Sequence, residues 1–320
     1  MLNSLFRLLA AISILLAVSG KILMAAPAVT YVLETNWGSQ GSTPGKFSEP
    51  TGIAATDTEV FVSDARNSRI QVFDYHGNFN RQFDIPGKGH GEPGRPMNLT
   101  IFRDEIFIAD YWNDRIQVFS LAGKFLRSIG TSGSDHGQFN SPGGVAVAAN
   151  GDIYVADFYN QRIQQLRPDG NFVRQWGSTG ETGIRAGKFN YPTDVAIAPD
   201  GTLYVADGYN DRIQVFTPEG RFSHKWGGPF AINIHGPFNG WFATVTSISI
   251  GPKGNIFVAD FYNDRIQKFT PDGKFLNAFG ITSDGPTHTA IAVAVSTDGS
   301  VFVADYMNHQ IQKWRPQGKE

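Results

Sequence analysis

Val155-Ala156-Asp157-Phe158-Tyr159-Asn160-Gln161-Arg162-Ile163-Gln164 decides how the rest of the chain is read, because five other stretches repeat it. VSDARNSRIQ ends at Gln71, IADYWNDRIQ at Gln117, VADGYNDRIQ at Gln214, VADFYNDRIQ at Gln267 and VADYMNHQIQ at Gln312. The anchoring acids, Asp64, Asp110, Asp157, Asp207, Asp260 and Asp305, lie 46, 47, 50, 53 and 45 residues apart. A period of that length marks an array of equal supersecondary units.

Working outward from Asp157, GGVAVAANG alternates apolar and small residues up to Asn150-Gly151. DIYVADFYN is a second short run, RIQQLRPDG a third, and NFVRQWG a fourth. β-branched and aromatic runs cut by Asn-Gly and Asp-Gly read as strands joined by hairpins. Asp200-Gly201, Glu219-Gly220 and Asp272-Gly273 stand at matching places in later copies. Each unit is therefore a four-stranded antiparallel meander, with no helical periodicity after the first thirty residues. Such a sheet is apolar on both faces and must be covered by its neighbours. Six of them stacked radially give an all-β, six-bladed β-propeller.

The last unit stops at QIQKWRPQGKE, after its third strand, and YVLETNWG (residues 31–38) resembles the fourth strands NFVRQWG and RFSHKWG. The N-terminal strand is thus expected to complete the last blade, which removes an exposed sheet edge. Residues 29–320 read as one propeller domain. Residues 1–28 read as a signal peptide: Arg7, then an apolar stretch from Leu8 to Val18, then small residues. Lys21 interrupts the run, so an uncleaved anchor over residues 5–23 is the second reading. Export, to a periplasm or outside the cell, is the expectation, with membrane contact only through an uncleaved segment. The chain has no cysteine, which excludes disulfides and thiolate chemistry, and its net charge of −2 offers no broad basic field for nucleic acid. No cofactor is expected, and a monomer is.

The pattern FxxPxxVAV-xxxG-xxYVADxxNxRIQ resembles the NHL-repeat family over essentially the whole of residues 31–320. The resemblance implies six blades. Family functions divide between protein- or RNA-binding modules, extracellular sensor domains and a peptidyl-hydroxyglycine amidating lyase branch that binds zinc in the central channel. In that branch a His directly follows the Pro that opens an inner strand. Here the equivalent positions are Thr51, Met97, Gly143, Thr193, Thr246 and Ile291, none of which supplies a zinc ligand. The resemblance therefore carries the fold and not the lyase activity.

The repeated Asp, with Arg five residues later (Arg69, Arg115, Arg162, Arg212, Arg265), reads as structure. Asp at a strand end accepts N–H bonds in the following turn, and the sixth copy replaces Arg by Gln310. The two positions after each Asp vary: Ala65-Arg66, Tyr111-Trp112, Phe158-Tyr159, Gly208-Tyr209, Phe261-Tyr262 and Tyr306-Met307. On one propeller face these rings form either wedges between blades or a binding crown for a protein, peptide or glycan, and the pairs can divide one ring buried, one exposed. The linkers repeat least, and the longest, Gly227 to Thr246, carries Trp241 and Phe242. His90, His136, His235 and His288 fall in or beside linkers without metal spacing. Asn98-Leu99-Thr100 is a glycosylation sequon that matters in a eukaryotic secretory route.

The leading expectation is a non-enzymatic binding propeller using Tyr111, Trp112, Phe158, Tyr159, Tyr209, Trp241, Phe261, Tyr262 and Tyr306. The alternative is a metal-dependent hydrolase or lyase with Asp194, Asn98 and Ser247 as oxygen donors in the channel. RNA binding conflicts with the export signal and the near-neutral charge.

Overall fold

The computed structural model describes residues 29–88, 93–280 and 290–318. The signal-peptide reading, His90 and His288 lie outside the described residues. Among these, no helix is long and apolar enough to cross a membrane.

The third blade shows how the repeat folds. Pro142–Val147, Ile153–Asp157, Arg162–Leu166 and Phe172–Gly177 pair in order as an antiparallel meander. Register sets Asp157 opposite both Pro142 and Arg162. The repeated Asp, its Arg and the start of the inner strand therefore meet at one end of the blade. Glycine closes the turns: Gly273 has φ +83°, and a Cβ there would lie 2.7 Å from the Trp226 ring, so the residue is fixed by conformation and by space.

The inner strands of the six blades are Pro50–Ala55, Pro96–Phe102, Pro142–Val147, Pro192–Ile197, Val245–Ile250 and Ala290–Val295. Each packs on the inner strand of both neighbours, and the last returns to the first. The sixth blade takes its outer strand from the N-terminal side, Thr30–Trp37, with Thr30 opposite Gln317 and Trp37 opposite Ile311. Tyr31 stacks on Phe279 with centroids 4.4 Å apart. Trp37 touches Phe302 of the sixth blade and Phe73 of the first. The closing strand thus seals two interfaces.

The core is six clusters, one per blade interface, rather than a single centre. Between the third and fourth blades Tyr154, Ala156 and Ile163 face Val195, Leu203 and Val205. Phe47, Phe139, Phe189 and Phe242, each just ahead of an inner strand, are wholly buried in four of these interfaces. Each such side chain contributes roughly 1.5–3 kcal/mol.

Candidate functional site

The repeated acids are all fully buried. Arg Nε donates to Asp Oδ2 at 2.7 Å from Arg69, 3.1 Å from Arg115, 2.8 Å from Arg162, 2.7 Å from Arg212 and 2.8 Å from Arg265. The Asn three residues on and the Gln seven on donate to the same carboxylate, as Asn160 and Gln164 do to Asp157. In the sixth copy Asn308 and Gln312 reach Asp305 without an arginine. The expected N–H from the following turn is present in the sixth copy, Asn308 to Asp305 Oδ1 at 3.4 Å, while the other five differ. Five acids accept the N–H of the linker that precedes their own inner strand, from Ser48, Arg95, Asn140, Asn190 and Ala243. The hairpin brings that linker alongside, while the turn after the Asp is a tight one closed by its own backbone bond, Asn113 N–H to the Asp110 carbonyl in one copy and Gln161 N–H to Phe158 in another. The outer guanidinium nitrogens continue the brace: Arg212 donates to the carbonyls of Ile184, Arg185, Lys188 and Ala231, tying two linkers together. Burial raises the carboxyls of Asp157, Asp207 and Asp260 above their ordinary value, against the opposing pull of these donors and the guanidinium.

The paired positions after each Asp divide by depth. The first of each pair, Tyr111, Phe158, Phe261 and Tyr306, is half-buried. The second is exposed, at 53% for Trp112, 46% for Tyr159, 51% for Tyr209 and 69% for Tyr262. Tyr111 lies 6.2 Å from both Phe158 and Tyr159, and Phe261 lies 4.8 Å from Tyr262 and 6.4 Å from Tyr306. Burial and the neighbouring Tyr159 raise the Tyr111 phenol above the usual tyrosine range.

Gly208 breaks the series because the Thr193 methyl and the backbone carbonyls of Tyr191 and Val245 leave no room for a side chain. A Cβ on Gly208 would lie 3.0 Å from the Tyr191 carbonyl and 2.7 Å from the Thr193 methyl. Tyr191 joins the arc, 4.9 Å from Phe158 and 5.1 Å from Tyr209. Sequence reasoning missed it. It stands one place before the blade-opening proline at φ +52°, an uncommon conformation for a non-glycine residue, and Gln161 Oε1 accepts its N–H at 2.6 Å. Glu49, Ser141 and Thr244 hold the same place with φ of 55–60°, each N–H bonded to a side chain of the preceding blade.

The arc borders the mouth of the central channel. A cavity of about 360 Å³ there is walled by Arg95, Tyr111, Trp112 and Phe158, and floored by Thr51, Met97, Asn98, Gly143, Thr193, Thr246 and Ile291. Trp241 does not line it. It stacks edge-on against Phe238 in the fourth-to-fifth linker, while Phe242 is buried between the blades. His136 stacks on Phe172, with centroids 3.8 Å apart, and does not line it either.

Asn98, Asp194 and Ser247, from three different blades, converge below the mouth. Asn98 Nδ2 donates to Asp194 Oδ2 at 2.6 Å, and Ile248 N–H to the same oxygen at 2.9 Å. Asp194 is 2% exposed and lines a second channel cavity of about 280 Å³. Burial pushes its carboxyl up to about 7, against hydrogen bonds from Ile248, Val195, Ser247 and Asn98. It reaches across because the third blade has Gly144 here: a Cβ would lie 2.2 Å from Asp194 Oδ1. The partners of Asp194 are donors, and among the described residues no group of three or more His, Cys, Asp or Glu can hold a metal ion. The sequon asparagine is this same Asn98, turned into the channel with its amide nitrogen on Asp194.

The NHL repeat model matches residues 47–73, 139–166 and 189–216, the heart of the first, third and fourth blades. The chain carries NHL repeats. The brain tumor protein of Drosophila melanogaster is 38% identical over 58 residues, a stretch that covers 18% of this chain and 6% of that protein. A structural-genomics protein of unknown function from Bacteroides thetaiotaomicron superposes with a TM-score of 0.69 at 16% identity, over 90% of this chain and 76% of its own. A streptogramin B lyase superposes at 0.62 and 18% identity, over 90% and 98%. At those identities the solved structures establish the shared propeller fold. The braces of this NHL-repeat chain recur in five or six blades; its mouth residues do not.

Proposed function

We propose that this NHL-repeat propeller is an exported, non-enzymatic binding protein that recognises a protein, peptide or glycan at the mouth of its channel. The observation that carries the reading is the cavity itself. It is walled on one side by Tyr111, Trp112 and Phe158, its lining among the described residues holds no nucleophile–base pair, and its lining residues differ from blade to blade. The exposed second rings extend it outward as an amphipathic rim, suited to flat or extended ligands. Export rests on the apolar N-terminal stretch alone.

Trp112, Tyr159 and Tyr262 replaced together by Ala test the proposal. These side chains are exposed, so the variant should fold. Wild-type protein on peptide and glycan arrays should give a defined binding profile that the triple variant loses. An unchanged profile with folded variant would overturn the proposal.

The second reading, a channel enzyme, is favoured by one observation: the Asp194 carboxyl sits near neutrality, where an acid–base group works. The likeness to a streptogramin B lyase makes it worth testing. Elemental analysis of the purified protein should find no stoichiometric metal; one calcium or zinc per chain would favour the enzyme.

A further inference from the structure

Resting on the mouth as a binding site, the residues around it go further and specify the chemistry of what enters. The floor has spent its donors. Thr51 Oγ1 donates to the Pro96 carbonyl at 2.9 Å, Thr193 Oγ1 to Val245 at 2.8 Å and Thr246 Oγ1 to Ala290 at 3.3 Å. Asn98 gives its Nδ2 to Asp194 and its Oδ1 to the N–H of Leu99. What these residues turn toward the cavity is methyl and aliphatic surface, joined by Met97 and Ile291. A polar ligand group reaching that floor would lose its water and find these side-chain donors already engaged, whereas an apolar group loses nothing.

Among the described residues the wall carries a single charged side chain, Arg95. Its guanidinium lies over the Trp112 ring, 5.0 Å from the centroid, and donates through Nη2 to Glu49 Oε2 at 2.8 Å. Glu49 is shared: Arg66 approaches its other oxygen at 3.3 Å. Two guanidiniums thus answer one carboxylate, which leaves this cluster of described residues with one cation in excess. Among the described residues Nε and Nη1 of Arg95 have no hydrogen-bond partner, so the edge that Glu49 does not occupy, Nη2 with either Nε or Nη1, stays open as a two-donor fork whose plane is fixed by stacking on Trp112 and by the bond to Glu49. A planar, prepositioned pair of donors is the complement of a carboxylate, and it repels an ammonium.

We infer that the mouth takes an apolar group bearing a carboxylate, with the apolar part seated over Met97 and Ile291 between the rings and the carboxylate on Arg95. Such a ligand is either a free aryl or alkyl carboxylic acid or the C-terminal residue of a peptide ending in an apolar side chain.

Isothermal titration of the folded protein with four probes tests this: N-acetylphenylalanine, its primary amide, and acetyl-Ala-Ala-Phe as acid and as amide. Each acid should bind at least tenfold more tightly than its amide, about 1.4 kcal/mol. Arg95→Gln should erase that preference. Glu49→Gln, which frees the guanidinium, should strengthen it. The tripeptide acid binding more tightly than the single residue assigns a peptide end; equal affinities assign a free acid. Acid and amide binding alike, or a preference that survives Arg95→Gln, would overturn the inference and leave the mouth standing as a binding site. No binding of any probe at millimolar concentration would overturn it too, and the array profile then decides the broader reading separately.

Discussion

The brace at Asp207 and the ring at Tyr209 are two residues apart and could hardly be treated more differently by the fold. Asp207 is wholly buried and meets Arg212, Asn210, Gln214 and the N–H of Asn190. Tyr209 is half exposed and touches other rings of the mouth. The brace recurs from blade to blade because each blade must fix the linker entering it. The mouth residue is free to differ because the brace has already fixed the backbone beneath it. A repeating scaffold can therefore carry one asymmetric site without loss of closure.

The comparison breaks first, if it breaks, at the brace. Asp207→Ala would leave the Arg212 guanidinium buried without its anion, and should cost about 3–5 kcal/mol of stability in equilibrium denaturation. A loss below about 1 kcal/mol would mean that the acids do not hold the blades. Asp194 sharpens the comparison, since it is buried like a brace but has no cation. Its carboxyl titrates near 3.8 ordinarily and near 7 here. Between those values the folded protein keeps a proton that the unfolded chain has released. The stability this provides is complete below about 3.8 and is lost as the pH rises through about 7. Denaturation midpoints from pH 4 to 8 should fall by an amount equivalent to a few kcal/mol for wild type relative to Asp194→Asn; parallel curves would refute the burial argument. Asn210→Ala removes one donor to Asp207 and one to the Gly183 carbonyl, for an expected loss of about 1–3 kcal/mol.

The fold was legible because its signals are local and written six times: alternating runs, Asp-Gly turns, and a stray strand, YVLETNWG, with no blade of its own. The division of each ring pair into one half-buried and one exposed member was legible as a possibility for the same reason. Two features of the site were not. Tyr191 stands one place before its inner strand, where Glu49, Arg95, Ser141 and Thr244 stand in other blades, and a position with no shared side-chain type gives no pattern to find. Asn98 and Asp194 are 96 residues apart, and only the closed ring brings them within a hydrogen bond. Trp241 stands apart from the cavity: in the longest linker it meets Phe238 edge-on and does not line the mouth, a placement that its sequence position does not disclose.

The smallest expected effect is the most direct test of this division of labour. Equilibrium denaturation of the Trp112, Tyr159 and Tyr262 triple alanine variant should give a stability within about 1 kcal/mol of wild type, as exposed side chains away from the braces do. A loss approaching that of Asp207→Ala would contradict the account, because the rings would then be holding the propeller together rather than waiting for a ligand.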